Sequence, residues 1–472
     1  MTTQRLHSGT GQATHANGGR YRVTIVHPCV GRTASMKRYI RTWKMQPLPV
    51  ATIAGLLPEG IDRRFYDDRL EAIRYDEPTD LVLISVETYT AKRAYQIASA
   101  YRQRRVPVVM GGFHATLCTE EVCRFADSVV VGEAEQTLPA VIDDYRHGTP
   151  KKLYRSEQRP GLERVRPDRS IFKGKRYLPM GLVEFARGCR FKCDFCAIQS
   201  YFNATQAHRP IDAVLEEVAR VRRRGQMIFF VDDNICSDLE AAKDFMRALI
   251  PLKVRWVSQS SITAAWDEEA LDLLKRSGCQ GLLIGLESLD ESSLRVMNKG
   301  FNLMRGGPAQ AMENFRRHGL RIYGTFVFGY DGDRPETLER SVSFAKEQGL
   351  FIAAFNHITP FPGTPLYRRL HEQGRLLYEQ WWLDERYRYN MVPFKPVGMS
   401  ARELEGRCLA ARQSFYNWPS ILQRAKAPVN RQSVFMLGNY LVINAMHQRD
   451  VTGRSGMPLG DETHEIELIE TC

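Results

Sequence analysis

Short apolar runs alternate with amphipathic helical segments along most of this chain, and that alternation constrains the fold more than any other feature. Residues 21–26 (YRVTIV), 64–66, 81–86 (LVLISV) and 106–110 (VPVVM) read as strands, with helical segments at 48–57 and 91–102 between them. Strands separated by helices pair in parallel and carry helices on both faces of the sheet. Residues 21–148 are therefore expected to form one doubly wound, Rossmann-like domain. Residues 149–177 are rich in Pro, Lys and Arg without periodicity and read as a linker. A second series follows, with candidate strands at 182–186, 227–231, 254–258, 281–286, 321–328 and 352–358 and helices at 211–222, 238–249 and 267–277. Six βα units over 178–362 predict a partial (β/α)6 barrel, whose chemistry would sit at the C-terminal ends of the strands. A mainly helical extension (363–453) and an acidic tail (454–472) complete an α/β chain that starts with a flexible segment, 1–20; no repeat of fixed period appears.

Composition narrows the class. With 472 residues, 43% hydrophobic and 25% charged, the chain can bury more than one core, which excludes a disordered chain or a single small module. The net charge of +12 is spread without a Lys/Arg block, so it fits anionic cofactors better than nucleic acid. The N-terminus lacks the apolar core of a signal peptide, and no run approaches the roughly 18 apolar residues of a membrane span. A cytoplasmic protein is expected. In a reducing compartment its ten cysteines point to metal or redox chemistry rather than disulfides.

Three of them are closely spaced. Cys189, Cys193 and Cys196 form C-x3-C-x2-C directly after the first barrel strand. Three thiolates on a 4Fe-4S cluster leave one iron without a protein ligand, open to a small molecule. The alternative is a Cys3His zinc site with His208 as fourth ligand; the position of the motif inside a βα series favours iron and sulfur.

This spacing, with the aromatic Phe195 before the third cysteine, resembles the signature of radical SAM enzymes. The resemblance implies that the open iron chelates the amino and carboxylate groups of S-adenosylmethionine (SAM), and that one electron from the cluster breaks the sulfonium bond to release a 5′-deoxyadenosyl radical. It also implies SAM contacts from Phe195 and from the ends of later strands. Residues 227–235 (MIFFVDDNI) stand where that family often has a Gly-Gly-Glu-type motif, so Asp232, Asp233 or Asn234 would take its role; a helix N-cap is the plainer reading. Residues 281–288 (GLLIGLES) put Glu287 where a polar contact to SAM is expected, a strand-end salt bridge being the alternative. Gly324, opening 324–333 (GTFVFGYDGD), would flank the adenine, and 359–364 (TPFPGT) is a further similar segment.

Residues 109–116 (VMGGFHAT) and 131–135 (VGEAE) resemble the cobalamin-binding-type domain that precedes the barrel in one radical SAM subgroup. Hopanoid C-3 methylase, bacteriochlorophyll-pathway methylases and the anaerobic magnesium-protoporphyrin cyclase belong to it. Gly111, Gly112 and His114 are the implied cobalamin contacts. The Asp-x-His-x-x-Gly motif of histidine-ligated cobalamin is absent, and His27-Pro28-Cys29-Val30-Gly31 stands in its place. The implied activity is methyl transfer to an unactivated carbon of a small biosynthetic intermediate, one SAM methylating cobalamin and a second supplying the radical, with flavodoxin or ferredoxin as electron donor. A second reading moves the 3-amino-3-carboxypropyl group of SAM to a soft acceptor such as trivalent arsenic, as in arsinothricin biosynthesis. It is motivated by the missing motif and by Cys29, Cys236, Cys279 and Cys472, of which Cys29 or Cys236 would face a crevice. Trp381, Trp382, Tyr387 and Tyr389 either cap the barrel over substrate or simply pack.

Overall fold

Strands Arg22–His27, Asp62–Asp67, Leu81–Ser85, Val108–Gly111, Ser128–Val131 and Leu153–Arg155 form the first sheet of the computed structural model. The model describes residues 20–34, 44–222, 226–451 and 455–470; residues 1–19 of the expected flexible start and Cys472 lie outside the described residues. All six strands are parallel, and Arg22–His27 lies between Asp62–Asp67 and Leu81–Ser85. The winding direction reverses there, which leaves a crevice at the C-terminal strand ends. Alternate residues supply the two faces. Ile25, Leu83, Val109 and Val130 pack under helices Leu48–Leu56 and Leu138–His147, whereas Val26, Ile84, Met110 and Val129 pack under Ala91–Arg102 and Thr119–Phe125. Burial on both faces makes these strands continuous apolar runs, so most were legible. Leu153–Arg155 was not: it falls in the expected linker, and only Tyr154 of its three residues is buried.

The second sheet joins Met180–Val183, Met227–Phe230, Arg255–Ser260, Cys279–Glu287, Arg321–Phe328 and Ile352–His357, each parallel to the next in chain order. Its central strands mostly alternate buried and half-buried residues. In Arg321–Phe328, Ile322, Phe326 and Phe328 are buried toward the helices, and half-buried Tyr323, Thr325 and Val327 face the lumen. The segments after the first and last strands meet, because Leu366 N donates to Asp194 O (3.1 Å). The sheet thus curls into the partial barrel.

Helices Ala401–Tyr416, Trp418–Ala425 and Val434–Asp450 pack on the barrel, and Tyr416 Oη donates to Ala353 O (2.8 Å) on the last strand. The aromatic stretch does not cap the barrel. Trp381, Trp382 and Tyr387 are buried in the apolar layer of the first sheet and fasten the extension to that domain. The acidic tail docks as well: Gly460–Asp461 pairs with Gly31–Arg32, and Asp461 faces Arg32 and Arg93 at 3.5 and 3.6 Å. Among the described residues, no helix is long and apolar enough to cross a membrane.

Candidate active site at the domain junction

The chain leaves the first barrel strand through Ala186–Gly188, which pairs antiparallel with Gln206–His208. Gly188 has φ +92°, and a Cβ there would meet Thr205 O at 2.2 Å, so only glycine can lead into the cysteine loop. The end of the second strand holds this approach by successive contacts. Asp232 accepts from Phe185 N (2.8 Å) and Ala186 N (2.9 Å), Asp233 from Gly188 N (2.7 Å), and Asn234 Nδ2 donates to Cys189 Sγ (3.5 Å). Both Asp232 oxygens are thereby committed to backbone in a fully buried setting, and Asn234 is buried too, its Oδ1 accepting from Ser261 N (3.1 Å), which leaves Asp233 as the member of the triplet on the cavity wall. Burial pushes the Asp233 carboxyl up to about 6, against the Gly188 amide. The helix cap expected of Asp233 or Asn234 belongs to Asp238, which accepts from Ala241 N.

Inside the loop, Asp194 accepts from Tyr330 Oη (2.5 Å) and Arg369 Nη1 (2.8 Å) and donates from its own N to Met297 O (3.2 Å). Burial pushes the Cys193 thiol up to about 12, against the opposing pull of Lys299, and the Cys196 thiol up to about 11. Sulfurs that are costly to ionise alone are stabilised as thiolates by soft cations. A single zinc would need sulfurs roughly 3.8 Å apart, from a Zn–S bond of about 2.3 Å. Among the described residues, the set of three such ligand atoms within 4.8 Å of one another is His114, Cys118 and Glu121, not the loop thiols with or without His208. His208 instead lies beside the Phe185 ring, centroids 5.3 Å apart. The wider thiol spacing fits a multi-iron cluster, with Ser237 Oγ (3.8 Å) as a further donor to Cys189 Sγ.

Glu287 ends the fourth strand at a register shift and takes φ +62°, which turns its carboxylate out of the strand alternation. Oε1 pairs with Lys299 Nζ (2.7 Å), the salt bridge that was the alternative reading. Oε2 takes no protein hydrogen bond among the described residues. Phe195 is half-buried against the barrel core. Gly324 faces away from the lumen: a Cβ there would meet Leu350 Cδ1 at 2.7 Å and Leu286 Cδ1 at 3.2 Å in the helix layer. Its expected contact to an adenine in the lumen is corrected by strand parity, since Gly324 shares a face with Ile322 and Phe326.

A cavity of about 440 Å³ lies where the C-terminal edge of the first sheet faces the barrel mouth, walled by Ser85, Gly111, Gly112 and Gly132 on one side and Arg187 and Asp233 on the other. Gly112 has φ +104° and would place a Cβ 2.9 Å from Val86 O. His27 also reaches this wall; burial, then Arg69, pushes its imidazole down to about 4. Arg187, next to the cysteine loop, bridges the domains by pairing with Glu135 (2.7 Å), Glu133 (3.0 Å) and Glu184 (2.7 Å). His114 is not on the wall. It is fully buried, 3.0 Å from Glu121 Oε1, and Glu121 also accepts from Tyr95, Gln380 and Trp382. The expected cobalamin contact is a structural hydrogen-bonding group.

Cys29, Cys236 and Cys279 are buried, and burial raises their thiols to about 12, 11 and 12. None lines the cavity, so the crevice cysteine behind the arsenic reading is absent among the described residues. Sequence reasoning missed Asp194, Tyr330, Lys299 and the Arg187 carboxylates. Asp194 and Tyr330 lie inside segments it had quoted, but nothing local marks them as partners.

Two family models match: the B12 binding domain over residues 43–142 and the radical SAM superfamily over 183–345. Bacteriochlorophyllide d C-12(1)-methyltransferase of Chlorobaculum tepidum is 28% identical over 81% of this chain and 86% of its own length. Bacteriochlorophyllide d C-8(2)-methyltransferase of the same organism is 28% identical over 78% and 83%. The solved structure of the radical S-adenosylmethionine methyltransferase TsrM from Kitasatospora setae, with cobalamin and a 4Fe-4S cluster bound, superimposes with a TM-score of 0.63 at 14% identity, covering 92% of this chain and 99% of TsrM. That likeness establishes the shared fold.

Proposed function

We propose that this chain, a radical SAM enzyme whose barrel follows a B12-binding domain, is a cobalamin-dependent methyltransferase acting on an unactivated carbon of a small biosynthetic intermediate. The observation that carries the reading is the junction cavity, because one wall is the glycine-lined edge of the B12-binding sheet and the other is the approach to the cysteine loop. When bound, the 4Fe-4S cluster and cobalamin supply reductive cleavage of SAM and delivery of a methyl group to carbon. Cys189, Cys193 and Cys196 hold the cluster. Gly111, Gly112 and Gly132 leave room for the cobalamin.

Asp233 and the free Oε2 of Glu287 are the acceptors offered to SAM from the strand ends, with Phe195 beside them, while Asn234, held by Ser261 N, turns its Nδ2 to Cys189 Sγ. Asp232 supports them by fixing the loop. Half-buried Val257, Leu283 and Val327 line the lumen with apolar surface, which keeps water from the reacting atoms. The resemblance to the two bacteriochlorophyllide methyltransferases along most of the chain supports methyl transfer over transfer of the 3-amino-3-carboxypropyl group. An electron donor of the flavodoxin or ferredoxin class and a cytoplasmic location go with this chemistry.

The test is anaerobic reconstitution with iron, sulfide and cobalamin, an absorbance spectrum, and then incubation with SAM, a reductant and candidate acceptors. S-adenosylhomocysteine, 5′-deoxyadenosine and a methylated acceptor are expected. Methylthioadenosine without a methylated product would overturn the reading.

A further inference from the structure

Lys299 is a buried cation outside every motif described above. Its Nζ lies 2.7 Å from Glu287 Oε1 and 3.1 Å from Gly285 O, and both side chains of the pair are 9% exposed. Residues on either side of it touch the cysteine loop. Met297 O accepts from Asp194 N, and the Phe301 ring lies 4.4 Å from that of Phe191. Asn302 Nδ2 ties the same segment to Gly285 O (3.1 Å) and Leu286 O (2.9 Å). The segment that carries Lys299 is therefore clamped between the loop that carries the thiols and the end of the fourth strand, with the ammonium anchored on the strand.

A buried ion pair is a poor way to gain stability, since two well-packed apolar side chains serve as well. The orientation of this pair suggests another use. Lys299 and Glu287 act on the Cys193 thiol in opposite senses, Lys299 the more strongly, so the positive end of the pair dominates at the cluster ligand. Three thiolates give a 4Fe-4S centre a net negative charge, and reduction adds one more electron. A fixed cation nearby favours the reduced state.

We propose that Lys299 is a positioning residue of the metal centre: held by Glu287 in the segment that packs on the cysteine loop, its charge raises the reduction potential of the cluster and eases electron uptake from an external low-potential donor. This rests on the cluster reading given above. The same clamp fixes Glu287 so that Oε2 stays turned away from the pair.

The experiment is an EPR-monitored redox titration of the full-length, anaerobically reconstituted protein, with dithionite as reductant and no SAM present. Lys299→Met is expected to move the midpoint to more negative potential at unchanged iron and sulfide content. Lys299→Arg should restore most of the shift, and Glu287→Gln should move the midpoint in the positive direction. Should Lys299→Met not retain its cluster, the double variant Lys299→Met/Glu287→Gln, which leaves no lone charge, carries the test and should still titrate below wild type. A wild-type midpoint in whichever of these two variants retains the cluster would overturn the proposal. A wild-type protein that binds no labile sulfide would overturn the cluster reading itself, so the two failures are distinguishable.

Discussion

Tyr330→Phe removes one oxygen atom, yet it should loosen the cluster loop measurably. Tyr330 is 4% exposed, and its hydroxyl donates at 2.5 Å to Asp194, a carboxylate buried in the loop between Cys193 and Cys196, the proposed cluster ligands. Burial and that neighbouring carboxylate push the phenol far up, so it stays a donor. A hydrogen bond to a charged group contributes roughly 1.5–3 kcal/mol, and each 1.4 kcal/mol is tenfold in population, so the opened loop should become about 10- to 150-fold more populated. The other partner of Asp194, Arg369, is 32% exposed at the side chain, and solvent reduces such a pair to about 0.2–1 kcal/mol. Arg369→Met should therefore cost only about 1.5- to 5-fold. The assay is the anaerobic rate of bleaching by a ferrous-iron chelator, which follows the open population when reclosing outpaces chelation. Wild-type bleaching in Tyr330→Phe, or a larger effect from Arg369→Met, would refute the assignment of Tyr330 as the main anchor.

Arg187→Ala strands Glu135 and Glu184 at the domain junction, Glu133 keeping its pair with Arg159 (2.7 Å), and should cost about 3–5 kcal/mol, read as a lower urea midpoint and faster limited proteolysis. In Gly112→Ala the side chain is forced into a left-handed backbone and onto Val86 O; the expected strain is about 1–2 kcal/mol, with less corrinoid retained per chain after gel filtration. His27 is held down to about 4, below its ordinary value, so its contribution to stability is present above about pH 6.5 and lost as pH falls toward 4. His27→Gln should flatten the stability profile in that window by up to about 1.4 kcal/mol per pH unit, measured by urea melts at stepped pH.

What could be read in the sequence was what local chemistry dictates. Strands buried on both faces had to be apolar runs, so the two sheets were legible, and a cluster bound by one loop would place its thiols a few residues apart, which is why Cys189, Cys193 and Cys196 stand out as its proposed ligands. Gly324 shows a signal that was present but unused. Counting by twos from Ile322 puts it with Phe326 and Phe328 on the helix side, whereas Tyr323, Thr325 and Val327 face the lumen. Cys29 and Cys236 lie near strand ends, but nothing in their spacing indicates which way the chain turns afterwards, and both turn inward. The supports of the site are a different case. Asp194 meets Tyr330 across 136 residues and Arg369 across 175, and Arg187 meets Glu133 across 54. Barrel closure brings the first set together and domain docking the second, so no local pattern encodes either. The proposed metal loop is consequently specified twice: by spacing, which would select the metal, and by long-range partners, which decide how firmly the loop is held. Variants at Tyr330 or Arg187 should separate these, keeping the capacity to bind iron while losing retention or domain alignment, whereas variants at the cysteines lose the metal outright.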